Sequence, residues 1–166
     1  MDTEDLKNKE HIEKVYCDKA INIFKYCIGI FIFSFCTYAI ALFFCNFDFG
    51  LIFEIISFIF TILALNKIKL KDFPKSKNYT IIAMIPLGWL IIYDLINLLV
   101  NIKEVITEVI FYYASSDQFF YYIEPYLFDV TIVAIIILLF LAYKSIRRAD
   151  GTDENNDPTD AFYEKL

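Results

Sequence analysis

Between positions 94 and 108, Asp94, Asn97, Asn101, Glu104 and Glu108 recur at steps of three and four. Such steps place residues on one face of a helix, so these carboxylates and amides align into a polar stripe. Two further acids, Glu54 and Asp129, fall within apolar surroundings. An ionised carboxylate is costly in hydrocarbon, so each must face other helices, reach water or carry a proton. The chemistry open to this set is cation binding or proton transfer along an outward-facing polar cleft, as in an oligomeric ion or proton channel or transporter subunit. In the plainer alternative, Glu54 and Asp129 reach water near the outer interface while Asp94, the most deeply placed, bonds across a helix pair. Four short spans leave little room for a protein-lined pathway in one chain, so the plainer alternative leads unless the chain oligomerises.

The remaining reactive side chains point away from enzymatic chemistry. The single histidine, His11, gives zinc, haem or di-iron chemistry almost nothing to stand on. Cys17, Cys27, Cys36 and Cys45 follow one another at nine or ten residues, with no CxxC pair. A nine-residue step turns a helix by about 180°, so successive thiols are expected to point apart and to serve as small apolar fillers. Cys17, just outside the first apolar run, is a possible acylation position. In the acidic tail, Asp153, Asn155, Asp157 and Glu164 match the first, third, fifth and twelfth positions of a calcium loop, but Pro158 stands where its sharp turn needs glycine. The tail reads as a solvated, disordered segment. No cofactor, metal or catalytic role is expected.

Four apolar runs must position the stripe, at about 21–45, 49–65, 81–100 and 127–143. Each is near the length that crosses a bilayer. Hydrophobic residues make up 58% of the chain and aromatic residues 19%, too much apolar surface for a soluble domain of this size. Residues 1–20 form a charged segment. No small-residue cleavage site follows the first run, which is expected to stay as an anchor. Residues 144–166 form a basic flank followed by the acidic tail. Lysines and arginines gather on one side: Lys7, Lys9, Lys14, Lys19 and Lys25 before or within the first run, Lys67, Lys69, Lys71, Lys75 and Lys77 between the second and third, and Lys144, Arg147 and Arg148 after the fourth. The opposite side has Lys103. By the positive-inside rule both termini and the central turn are cytoplasmic. The fold class is thus all-α, an up-down-up-down four-helix membrane bundle with a possible amphipathic extension of the third helix outside.

The five central lysines form a basic loop facing the inner leaflet, where each cation near anionic lipid contributes about 1 kcal/mol. The sequon Asn78-Tyr79-Thr80 lies in that cytoplasmic turn and is read as coincidental. A net charge of −6 without a basic patch outside the membrane argues against nucleic acid as a partner.

Tyr93-Asp94 resembles the Tyr-Asp half of the presenilin-type intramembrane aspartyl protease signature, and Phe128-Asp129 offers a second acid one span later. The Gly-x-Gly-Asp partner of that family is absent, and no enzyme is expected. The stretch Leu63-Ala64-Leu65-Asn66-Lys67-Ile68-Lys69, a basic turn, then Ile81-Ile82-Ala83-Met84 to Gly88, resembles an uncharacterised bacterial two-span membrane hairpin domain. That resemblance covers about a quarter of the chain and implies membrane topology with no known activity.

Ser57, Thr61 and Ala64 make a small-residue stripe suited to helix packing in lipid. Pro86 and Gly88 are positions where the third span can bend. Trp89 sits deep for an interfacial anchor, which calls for a later start to that span or an indole partner inside the bundle. Aromatic residues from Phe111 to Phe128, split by Ala114-Ser115-Ser116-Asp117, form an outer belt. Together these features point to a cell-membrane protein that acts on other membrane proteins or lipids, as an accessory subunit or in an immunity-type role, with self-association possible.

Overall fold

The computed structural model describes residues 3–41, 50–112 and 119–152, with side chains described from 7 to 39, 50 to 100 and 130 to 152 apart from 8, 38 and 98. The tail with its calcium-like spacing, the outer hairpin tip and the outer belt's side chains lie outside them. Helices α1 (Thr3–Ala41), α2 (Gly50–Lys69), α3 (Phe73–Tyr112) and α4 (Phe119–Ala149) make up the fold, with no strand among the described residues. All four are long and apolar enough to cross a membrane, at Lys9–Thr37, Gly50–Lys69, Phe73–Asn97 and Val130–Ala149.

The charged N-terminal segment is continuous helix with the first span, so the 39 residues of α1 reach about 58 Å against a hydrocarbon core of about 30 Å. α3 likewise runs unbroken for 40 residues, through Pro86. A Cβ built on Gly88 meets nothing within 4 Å, so close packing does not demand glycine there.

Between α2 and α3 the chain reverses in three residues. Lys71 takes the left-handed conformation at φ 56°, and Asp72 N–H and Lys71 N–H donate to the carbonyls of Lys67 and Ile68, both at 2.9 Å. This pattern closes a helix C-terminus by satisfying its last carbonyls. Asp72 then caps α3: its carbonyl accepts from Ser76 N–H at 3.0 Å and its carboxylate from Lys75 N–H at 3.4 Å. Gly151, at φ 68°, ends α4 in the same way, with Thr152 N–H donating to Arg147 O at 3.0 Å.

Packing follows a repeat of alternating three- and four-residue steps on every helix. The seam positions are 17, 20, 24, 27, 31 and 34 on α1; 54, 57, 61, 64 and 68 on α2; 76, 80, 83, 87 and 90 on α3; and 132, 135, 139, 142, 146 and 149 on α4, with Leu65 and Ser145 buried beside them. An average step of 3.5 residues keeps one seam facing its neighbours, as in coiled coils. α1 packs on α2 and α4, and α3 packs on the same two, closing a ring of four. Small residues let the backbones approach: Ala20, Ala64, Ala83 and Ala142 are fully buried, and Ser76 Oγ on α3 donates to the Ala64 carbonyl of α2 at 2.9 Å. Larger rings fill the wider gap between α1 and α2, where Phe58 meets Phe31 and Phe35 edge-on at centroid distances of 5.6 and 5.3 Å.

Cys17 and Cys27 are both buried, whereas Cys36 is exposed. The expectation that successive thiols point apart therefore fails for the first pair. Their ten-residue separation leaves them about 80° apart, within one broad buried face, yet about 15 Å apart along the axis, too far to form one site. Trp89 is 61% exposed and faces away from the bundle, which removes the interior indole partner.

Candidate functional site

Of the three acids and amides singled out above whose side chains are described, Glu54, Asp94 and Asn97, Glu54 is the one the bundle encloses. It lies in the second turn of α2, is 1% exposed, and accepts a hydrogen bond from Ser34 Oγ of α1 at 2.9 Å. Hydroxyl residues continue inward from it along the small-residue stripe. Ser57 and Thr61 are fully buried, and Thr61 Oγ1 donates to the Ser57 carbonyl at 2.8 Å. On the facing helix, Ser76 and Thr80 are fully buried, with Thr80 Oγ1 donating to the Ser76 carbonyl at 2.8 Å. Thr80, the last residue of the sequon, is thus a packing residue of the seam. A hydroxyl or carboxyl inside lipid stays low in energy only with such partners.

Asp94 and Asn97 are placed differently. Asp94 is half-buried and Asn97 exposed on α3, beyond Leu90, the last buried residue among those of that helix whose side chains are described. Asn101, Glu104 and Glu108 follow on the same helix and Asp129 lies on α4, and the side chains of these four fall outside the described residues. The steps from 76 through 90 to 94, 97, 101, 104 and 108 are one uninterrupted series of threes and fours, so the polar stripe continues the register of the buried seam.

The basic loop is tied to the chain's own acids. Lys67 and Lys75 lie 3.8 and 3.3 Å from Asp72, Lys71 2.7 Å from Glu13 of α1, and Lys77 2.6 Å from Asp150 at the end of α4. Lys69 is exposed. The Arg148 guanidinium lies over the Tyr16 ring, 5.5 Å from its centroid, joining α4 to α1 at the same end of the molecule.

Glu13 holds the Lys71 ammonium by hydrogen bond and charge, raising its pKa above the ordinary lysine value. A raised value means that the folded chain binds this proton more tightly. The contribution is therefore full below about pH 10.4, the unperturbed lysine value, and is lost as pH climbs through the folded one. Because Lys71 is exposed, the effect is small. Melting curves of the parent and Glu13→Gln should differ by a small constant shift from neutral pH to about pH 10 and converge above it. A gap that widens with alkalinity would reject the assignment.

One feature the sequence did not signal is a groove of about 480 Å³ between α1 and α4, lined by Lys25, Tyr26, Gly29, Ile30, Phe33, Val130, Thr131 and Ala134. In the sequence Lys25 reads only as an orientation residue. Its place beside α4 depends on the pairing of two distant helices, which no local pattern encodes. Ser34 was missed for the same reason. Among the described residues, no cluster of three histidine, cysteine or acidic side chains can hold a metal ion. Comparison with family models, curated proteins and solved structures found no match.

Proposed function

We propose that the chain is a multi-pass protein of the cell membrane that works by binding other membrane proteins or lipids, as an accessory subunit or in an immunity-type role. It forms an up-down-up-down bundle with both termini in the cytoplasm. The clustering of Glu13, Tyr16, Lys71, Lys77, Arg148 and Asp150 at one end supports that topology, as does the lysine asymmetry.

The observation that carries the binding role is the outer part of α3. Beyond Leu90 none of its described side chains is buried, and Ile92, Tyr93, Leu95, Ile96, Leu99 and Val100 are each more than half exposed. Lipid alone would cover such apolar surface. It would not serve the exposed amide of Asn97 in the same row, because amides in a bilayer associate with polar groups of other helices. A helix laid along this face satisfies both kinds of residue.

A photoreactive amino acid at Leu95 or Asn97, activated in native membranes and followed by mass spectrometry, should recover a second membrane protein. The same probe at exposed Ile137 of α4 should recover mainly lipid. Recovery of self-contacts alone from the α3 positions rejects the reading.

A further inference from the structure

The groove of about 480 Å³ between α1 and α4 sets a cation at one end of an apolar channel. Lys25 lies toward the basic end of the bundle, where Arg148 covers the Tyr16 ring, and Phe33 lies eight residues further along α1, about 12 Å deeper. Between them Gly29, with Ala134 of α4, supplies the smallest of the lining residues, and a Cβ built on Gly29 meets nothing within 4 Å. A void between helices forfeits the contacts its walls would make, so in a bilayer such a space is filled. Lys25 is exposed and forms no ion pair among the described residues, whereas Lys67, Lys71, Lys75 and Lys77 each have one. It stands nine residues past Tyr16, about 14 Å along the axis from the level of that ring. At such depth an ammonium stays low in energy by reaching back to the headgroups or by meeting an anion. Helical side chains lean toward the N-terminus, which on α1 is the basic end.

We propose that this groove binds one anionic glycerophospholipid from the leaflet at the basic end of the bundle, with its phosphate on Lys25 and one acyl chain lying past Gly29 toward Phe33 and Ala134. The length fits, since one leaflet contributes about 15 Å of the hydrocarbon core. The width fits a single alkyl chain and excludes a third helix, which at about 10 Å across would take up roughly twice the groove's volume over those 12 Å. Apart from Lys25, Tyr26 and Thr131, the lining side chains carry no polar atom, as a hydrocarbon tail requires. The ammonium then selects by charge. A zwitterionic lipid brings its own cation beside the phosphate, whereas an anionic one leaves its negative charge to Lys25. The inference rests on the membrane placement of the bundle proposed above and names a lipid for it, but it does not depend on a partner for α3.

The test adds phosphatidylglycerol or phosphatidylcholine to the purified full chain in detergent micelles and counts retained lipid by native mass spectrometry. The parent should hold one phosphatidylglycerol about tenfold more tightly than phosphatidylcholine, the worth of one charge-assisted bond. Lys25→Met keeps an unbranched stem at an exposed position and should abolish that preference. Gly29→Leu, whose Cβ has room, should fill the channel and weaken retention of both lipids. Lys69→Met, exposed on the basic loop, should change nothing. A second readout needs no variant: phosphatidylglycerol with a diazirine in its acyl chain, activated in vesicles of the full chain, should label peptides containing Gly29 to Phe33 and Ala134. Equal retention of the two lipids by the parent would mean an annular lipid only. That result, a preference that survives in Lys25→Met, or labelling spread evenly over the exposed faces of all four helices each overturns the proposal. A partner recovered or missed at Leu95 bears on α3 alone and leaves these outcomes unchanged.

Discussion

Ala64→Phe is expected to separate α3 from α2 and to lower folding stability by about 3 kcal/mol, since an overfilled interface must shift backbone or force side chains off their rotamers. Ala64 is fully buried, and its carbonyl receives the Ser76 hydroxyl at 2.9 Å. That distance is possible because Ala64, Ala83 and Thr80 leave the facing backbones close together, all three being fully buried. A benzyl group at 64 has no room on this side, and lipid offers no hydrophobic penalty to hold separated helices together. The bonded hydroxyl is lost along with the contact, adding about 0.6 kcal/mol by the average measured for such bonds in membranes. Unfolding by a denaturing detergent in mixed micelles measures the loss. Ile59→Phe, on the 49% exposed side of α2, should leave the midpoint unchanged. Equal effects at 59 and 64 would mean that the seam has been assigned to the wrong face.

Phe31→Ala is the second large effect, about 3–5 kcal/mol by the cost of removing a buried aromatic ring. Phe31 is fully buried, stacked on Phe35 at 6.2 Å and met edge-on by Phe58 at 5.6 Å. Its removal opens a void between α1 and α2 and takes away the geometry-specific part of two aromatic contacts, about 0.5–1.5 kcal/mol each. Two residues later, Phe33 is 65% exposed and should tolerate alanine with almost no change in the same assay. The contrast uses one residue type on one helix, so helix propensity cancels. A smaller loss at 31 than at 33 would overturn the packing.

Four spans were legible in the sequence because twenty-residue apolar runs admit few other structures. The face each span buries was not. In a soluble helix the core side announces itself by contrast with polar neighbours, whereas here Ile55, Ile59, Ile137 and Phe140 face outward and are as apolar as Ile68 or Ile135, which face in. Residue size carries the signal instead. The stripe of Ser57, Thr61 and Ala64 was visible for that reason, and the same criterion applied to α1 and α3 would have found Ala20, Ser34, Ser76, Thr80 and Ala83. The row of Asp94 and its followers was legible as a helical face, but its phase relation to the seam required knowing which residues of α3 are buried. The lysines of the central turn were legible as orientation signals. Their ion pairs to Glu13 and Asp150 join segments roughly 60 and 70 positions away, a separation no pattern in the chain records.

α3 is one continuous helix from Phe73 to Tyr112, and a single register joins Ser76, latched to α2, with Glu108 near the other end of the helix. Such a rod transmits rotation like a crank. A turn of its inner half within the ring swings the acidic row by the same angle, and one residue inserted after Leu90 would offset the two ends by about 100° while leaving each intact. Whatever meets the outer row is thereby geared to how α3 sits against α2 and α4 some 30–40 Å below, at a rise of 1.5 Å per residue.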